Sequence, residues 1–200
     1  MNYSDNTIKY YDQNAKSFVE NTVDAKMDTI QMKFLSQIKE GGLILDLGCG
    51  SGRDSKEFLS RGYRVIMIDG SAKMCKAAEK LTGHKVIHSL FQDYYPKDKF
   101  DGIWACSSLL HLNKTDMKYV IGRMADALKP HGCFYLSYKY GTYSGERRGR
   151  YFTDMNELTI REMIADIPNL ELEEIRLTRD VRPERNNEKW LNVFCKKVCI

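Results

Sequence analysis

The run Asp46-Leu47-Gly48-Cys49-Gly50-Ser51-Gly52 carries the sharpest chemical signal in the sequence. Alternate glycines after an acidic residue, at the end of an apolar strand and at the start of a helix, form a turn whose backbone can approach a ligand closely. A Cβ would block that approach, and such turns often need positive φ. A tight strand-to-helix turn without a ligand is the plainer reading, and the acid with its alternating glycines argues against it. A dinucleotide fingerprint would need a further glycine where this chain has Arg53. A carboxylate at the mouth of the loop would also repel a pyrophosphate, so Asp46 suits a ligand bearing an ammonium or another cation. Asp69 ends the next strand, in Val65-Ile66-Met67-Ile68-Asp69-Gly70-Ser71. A carboxylate there can accept both hydroxyls of a ribose.

S-adenosylmethionine meets these demands: it has an ammonium, a sulfonium and a ribose, and no phosphate. Methyl transfer from it is an in-line displacement, so positioning carries much of the catalysis. A base is needed only when the acceptor arrives protonated. His111, in Ser107-Ser108-Leu109-Leu110-His111-Leu112, is the best candidate, because it follows the fourth strand at the edge where α/β sheets place their sites. A capping or partly buried loop histidine is the alternative. His84 and His88 straddle a turn and a strand, so they do not share a face as metal ligands would, and no metal is expected. The polar stretch Lys139 to Tyr151, with Tyr140, Tyr143, Arg147, Arg148, Arg150 and Tyr151, suits an anionic or aromatic acceptor. Asp180 to Trp190 adds Arg182, Arg185 and Trp190. Solvated loops, and a core role for Trp190, are the competing readings. Tyr10 and Tyr11 lie outside the strands and are placed as a lid over the cofactor.

These groups need a scaffold, and the hydrophobic pattern supplies one. Short apolar strands at 43–45, 64–68, 85–88, 100–106 and 133–138 alternate with helical patterns at 24–39, 54–61, 72–82 and from Thr115 to Leu128. An N-terminal segment through Val19 has near-helical spacing. Ser71 caps one helix, and Asp154 is expected to cap another that contains Leu158, Met163, Ile164 and Ile167. Leu170 to Leu177 and Leu191 to Val198 close the chain as two strands joined by a loop, hence an antiparallel pair. The expectation is an α/β fold, a mostly parallel sheet with helices on both faces.

Asp46-x-Gly48-x-Gly50-x-Gly52 followed by Asp69 resembles motifs I and II of the class I S-adenosylmethionine-dependent methyltransferases. Phe91-Gln92-Asp93 resembles the family's adenine-contacting segment. Phe100-Asp101-Gly102-Ile103-Trp104-Ala105-Cys106 resembles its fourth strand, and Ala127-Leu128-Lys129-Pro130-His131-Gly132 its Leu-Lys-Pro-Gly-Gly turn, with His131 in place of the first glycine. The resemblance runs from about Tyr10 to Lys197 and is nearest to the small tellurite-resistance-type enzymes. It implies a Rossmann-like seven-stranded sheet in the order 3-2-1-4-5-7-6, strand 7 antiparallel, within a three-layer α/β/α domain. It also implies cofactor roles. Gly48, Gly50 and Gly52 line the methionine moiety, Asp46 meets its ammonium and Arg53 its carboxylate, Asp69 holds the ribose, and Gly70, Ser71 and Met74 flank the adenine. Phe91 and Gln92 reach the adenine edge, Ala105 or Cys106 lies beneath the sulfonium, and Tyr11 covers the site. On the acceptor side stand His111, Tyr138, Tyr140, Arg147, Arg148, Tyr151, Arg182 and Trp190.

With 200 residues, a net charge of +4 and 42% hydrophobic residues, the composition fits one soluble globular domain over 1–200. Residues 1–40 would cover the cofactor, and 139–152 and 178–190 would form substrate-side loops. No run is long enough to span a membrane, and the start carries no signal-peptide pattern. The six cysteines include no C-x-x-C pair and read as reduced thiols of a cytoplasmic protein. A small-molecule methyltransferase, monomeric or homodimeric, leads. A nucleic-acid or protein methyltransferase is second, disfavoured by Cys106-Ser107-Ser108-Leu109 where base and glutamine methylation uses Asn/Asp-Pro-Pro-Tyr/Phe. A catalytically silent S-adenosylmethionine-binding protein is third, and a nicotinamide oxidoreductase is a distant fourth.

Overall fold

A computed structural model describes residues 3–182 and 185–198. A seven-stranded sheet runs β3 (Val86–His88), β2 (Arg64–Asp69), β1 (Leu43–Leu47), β4 (Phe100–Ala105), β5 (Leu128–Lys139), β9 (Lys189–Lys197), β8 (Leu170–Arg179). The first five are parallel neighbours, and β9 is antiparallel to both β5 and β8. The expected order is therefore met, with a separate hairpin, β6 (Ser144–Arg147) and β7 (Arg150–Thr153), inserted after β5.

The two faces of the sheet follow the period-two alternation of its strands. Leu45, Leu47, Ile103, Phe134 and Leu136 point to the side covered by α5 (Lys114–Ala127) and α6 (Glu157–Ala165). Ile44, Trp104, Cys133, Tyr135 and Phe194 point to the other, covered by α2 (Asp28–Leu35) and α3 (Arg53–Ser60). There Phe34, Phe58 and Trp104 meet at centroid distances of 5.1–5.7 Å, and Trp104 stacks on Tyr135 at 4.0 Å. Full burial of each such ring contributes about 2–3 kcal/mol. α4 (Ala72–Thr82) packs beside α3, and α1 (Tyr3–Thr22) lies over the carboxyl edge.

Several local expectations need correction. The second helix is eight residues long, Asp28–Leu35, because the chain on either side turns away. Asn156, not Asp154, caps α6: its side chain accepts from the Thr159 amide while Thr159 reaches back to the Asn156 amide. Leu158 therefore sits on the outer face, 65% exposed. The stretch expected as a loop at 139–152 is strand and hairpin, a two-stranded ribbon whose outer strand is polar and whose inner strand buries Phe152 and Thr153. His131 takes φ +63 where the family pattern has a glycine. The expectation that Cys199 packs in the core lies outside the described residues, whereas Cys195 is fully buried.

Candidate functional site

The carboxyl ends of β1, β2, β4 and β5 open into a cavity of about 830 Å³, roofed by α1 and walled by the β6–β7 hairpin. On one side lies the glycine turn. Gly48 has φ +89, and a Cβ there would lie 2.4 Å from the Ser108 Cβ and 3.0 Å from the Phe91 ring, so only glycine leaves the turn room. Asp69 braces the turn by accepting from the Gly50 amide at 2.9 Å and the Ser71 amide at 2.8 Å. Burial raises its pKa, and those two amides oppose the rise. A carboxylate offers about four acceptor sites, so Asp69 keeps capacity for two further donors.

Gly70, Met74, Phe91 and Gln92 continue this wall. The Phe91 and Gln92 carbonyls accept from Arg123 at 2.5 and 2.9 Å. Arg123 in turn lies over the rings of Tyr95 and Tyr119, which fixes the segment from behind.

On the other side stands His111, in a 3₁₀ turn (Leu109–His111) after β4. Its Nδ1 lies 2.7 Å from the Tyr151 carbonyl, and its Nε2 lies 2.8 Å from the Tyr11 hydroxyl. A carbonyl only accepts, so Nδ1 carries the proton and the Nε2 lone pair accepts from Tyr11. Burial lowers the imidazole pKa to about 4, the nearby Arg150 cation adding to the effect. His111 is thus neutral at any ordinary pH, its Nε2 lone pair turned toward the Tyr11 hydroxyl. Tyr11 also receives a hydrogen bond from Arg150 at 3.3 Å, and its own pKa is raised by burial.

The expected site residues divide into two groups. Gly48, Gly50, Arg53, Asp69, Gly70, Met74, Phe91, Gln92, Cys106, Tyr11, His111, Tyr140, Arg147, Arg148, Arg182 and Trp190 all line the cavity. Six others do not. Asp46 points beneath α3, is 2% exposed and accepts from Ser55 Oγ at 2.6 Å. Burial, reinforced by Asp54, pushes its pKa up to about 8. Gly52 instead starts α3 with φ +82, and a Cβ there would meet the Ala78 backbone of α4 at 3.0 Å. Ser71 caps α4 through the Met74 amide and donates to Asp12 of α1. Ala105 and Tyr138 are buried in the core. Tyr151 serves through its carbonyl, while its hydroxyl faces Ser144.

Three arginines that line the cavity are already engaged. Arg53 forms a two-pronged pair with Asp54, at 2.7 and 2.8 Å, instead of reaching outward. Arg147 pairs with Asp154 at 2.5 Å, and Arg182 with Asp180 at 2.6 Å, an aspartate that also accepts from Trp190. One site feature was not singled out from the sequence, and one residue of the polar stretch takes a more definite place. Ser107 holds φ +55 at the cavity wall, its amide donating to Ser137 Oγ at 2.8 Å. Arg150 lines the wall beside Tyr11.

Residues 44–132 match a family model described as a methyltransferase domain. An uncharacterized methyltransferase of Anoxybacillus flavithermus is 28% identical over 142 residues, 66% of this chain and 67% of that protein. A ubiquinone biosynthesis O-methyltransferase of a Bradyrhizobium species is 32% identical over 99 residues, 47% of this chain and 38% of that one. The chain spans less than half the length of most of the curated relatives it matches. The 1,6-didemethyltoxoflavin-N1-methyltransferase of Burkholderia thailandensis, solved with S-adenosylhomocysteine, superposes with a TM-score of 0.74 at 18% identity, over 98% of this chain and 87% of that one. The chain thus carries a methyltransferase domain over residues 44–132, on the fold of solved S-adenosylmethionine-dependent methyltransferases. Several solved structures of that fold hold S-adenosylhomocysteine, the demethylated form of S-adenosylmethionine. The residues present fit that cofactor: the Gly48 turn leaves a cradle a Cβ would fill, and Asp69 has spare acceptors for a ribose. Among the described residues no cluster suits a metal ion, and no helix is long and apolar enough to cross a membrane.

Proposed function

We propose that this methyltransferase acts on a small anionic or aromatic acceptor that carries a protonated oxygen or nitrogen. The observation that carries this reading is the Tyr11–His111 hydrogen bond inside the cavity, opposite the glycine turn. When bound, the cofactor supplies a methyl group on a positively charged sulfur. Asp69 accepts from the ribose, and Gly48 and Gly50 give the methionine moiety its room. Phe91, Gln92 and Met74 hold the adenine. His111, fixed by the Tyr151 carbonyl, takes the acceptor proton on Nε2, directly or through the Tyr11 hydroxyl. α1 excludes water by binding both walls: Asp12 to Ser71, Asn6 to Glu146, and Thr7 to the Tyr151 amide.

The arginine pattern supports a small molecule over a nucleic acid. Arg147 on the hairpin and Arg182 beyond β8 are each neutralised by a buried aspartate, which takes two of the cavity's cations out of reach of a phosphate backbone. Five free cysteines among the described residues support a reducing, cytoplasmic setting. The test is release of S-adenosylhomocysteine on incubation with a panel of small phenols, amines and carboxylates, with oligonucleotides and a protein extract as parallel arms. Turnover confined to the small-molecule arm is expected. Turnover confined to RNA or protein would overturn the substrate class, and cofactor binding without any turnover would favour the silent reading.

A further inference from the structure

We propose that Arg150 is the seat for a carboxylate on the methyl acceptor, and that it sets specificity for hydroxy- or amino-substituted aromatic acids. The inference rests on the methyltransferase reading above and deepens it. Arg53, Arg147 and Arg182 line the same cavity, and each has an aspartate partner. Arg150 has no carboxylate within ion-pair distance among the described residues, and its Nε is buried without a hydrogen-bond partner. A buried donor left unpaired is costly, and a ligand oxygen is the natural completion.

The surroundings specify the ligand. The guanidinium lies 4.3 Å from the Tyr10 ring centroid, 5.1 Å from Phe152 and 5.6 Å from Tyr11. Such packing holds the planar fork in one orientation, suited to two parallel bonds with a carboxylate. Both Arg150 and His111 lie within 3.3 Å of the Tyr11 hydroxyl oxygen. An acceptor anchored at Arg150 therefore places a nearby O–H or N–H at Tyr11 and His111. Phe18, packed edge-on to Tyr11, and Trp190 on the cavity wall favour an aromatic ring beside the two groups. The cofactor has a carboxylate of its own, but Arg150 stands on the hairpin beside His111 rather than on the glycine turn, so the acceptor is the source assigned.

The probes are hydroxy- and aminobenzoates and hydroxycinnamates, each paired with its methyl ester. They are titrated into protein saturated with S-adenosylhomocysteine and read by calorimetry. The wild type is expected to bind at least one acid roughly tenfold or more tighter than its ester, as befits a charge-assisted pair. Arg150→Gln is expected to abolish that preference while its S-adenosylhomocysteine affinity stays within about threefold, and Arg150→Lys to restore part of it. A wild type that binds none of the acids, or binds acid and ester alike, overturns the proposal and leaves the methyltransferase reading standing. Loss of S-adenosylhomocysteine binding in a folded Arg150→Gln variant also overturns it, because Arg150 would then hold the cofactor's carboxylate. Failure of the wild type to bind S-adenosylhomocysteine would overturn both.

Discussion

Tyr11 and His111 stand one hundred positions apart in the chain, and their side chains meet at 2.8 Å. Helix α1 brings the phenol and the turn after β4 brings the imidazole, so neither element makes the pair alone. With Nδ1 committed to the Tyr151 carbonyl, His111→Ala is expected to lower turnover about 100-fold or more, the usual worth of a positioned base. S-adenosylhomocysteine affinity should change little. For an acceptor whose own group does not titrate in the range, kcat/KM should stay level from neutral pH down to about 5 and then fall, following the imidazole pKa of about 4. A limb centred near 6.5 would show that the imidazole is solvated and the pair open.

The same burial links stability to pH. The folded imidazole has its pKa at about 4 against 6.5 for the free group, so the unfolded chain binds the extra proton in between. Stability from this site is complete above pH 6.5 and is lost as the pH falls toward 4, by on the order of 3 kcal/mol. Denaturant titrations of the wild type and His111→Gln between pH 7 and 4.5 check this. The variant should show the shallower decline.

Asp46 has the opposite sign. Its folded pKa of about 8 lies above the 3.8 of a free aspartate, so the folded protein holds the proton and loses stability as pH rises through that window. The slope approaches about 1.4 kcal/mol per pH unit at most. Asp46→Asn keeps an acceptor for Ser55 and removes the titration. It should bind S-adenosylhomocysteine nearly as the wild type does and be relatively more stable at pH 8.5 than at pH 6. A large loss of cofactor affinity would return Asp46 to the ligand.

Two glycines of one motif should fail differently. Gly48→Ala crowds Ser108 and Phe91 at the cavity and should abolish detectable cofactor binding. Gly52→Ala presses on Ala78 between two helices and should lower Tm by several degrees, a cost of about 1–3 kcal/mol, before it touches affinity.

Asp69→Ala removes the acceptor that braces Gly50 and Ser71 as well as the ribose site. Its affinity for S-adenosylhomocysteine should fall by about 100-fold, and Asp69→Asn, which retains one oxygen, should fall less. Calorimetry separates the two.

What could be read in the sequence was what local pattern encodes. Apolar strands, the glycine turn and Asp69 at a strand's end are written in adjacent residues, whereas the sheet order came from the family resemblance alone. Asp46 lies off the cavity lining, as period two implies: it shares the face of Ile44, under α3, and its register opposite Trp104 agrees. Arg53 and Arg147 are the converse: their types suggested ligands, and only the fold shows Asp54 and Asp154 beside them. The hairpin at 144–153 carries no apolar alternation in its sequence, because Phe152 is the single apolar core residue it contributes. The Tyr11–His111 contact depends on how α1 docks, which no short-range pattern specifies.

That docking carries a consequence for motion. Among the described side chains of α1 no large apolar one is fully buried, and Ser4 and Thr7 are the buried residues. The helix is held at its flanks by the polar bonds of Asn6, Thr7 and Asp12. A segment fastened this way opens at far lower free energy than the sheet beneath it. Its amides should exchange with deuterium early and slow sharply when cofactor and acceptor are both present. Detachment of α1, more than the chemistry under it, would then set how quickly product leaves.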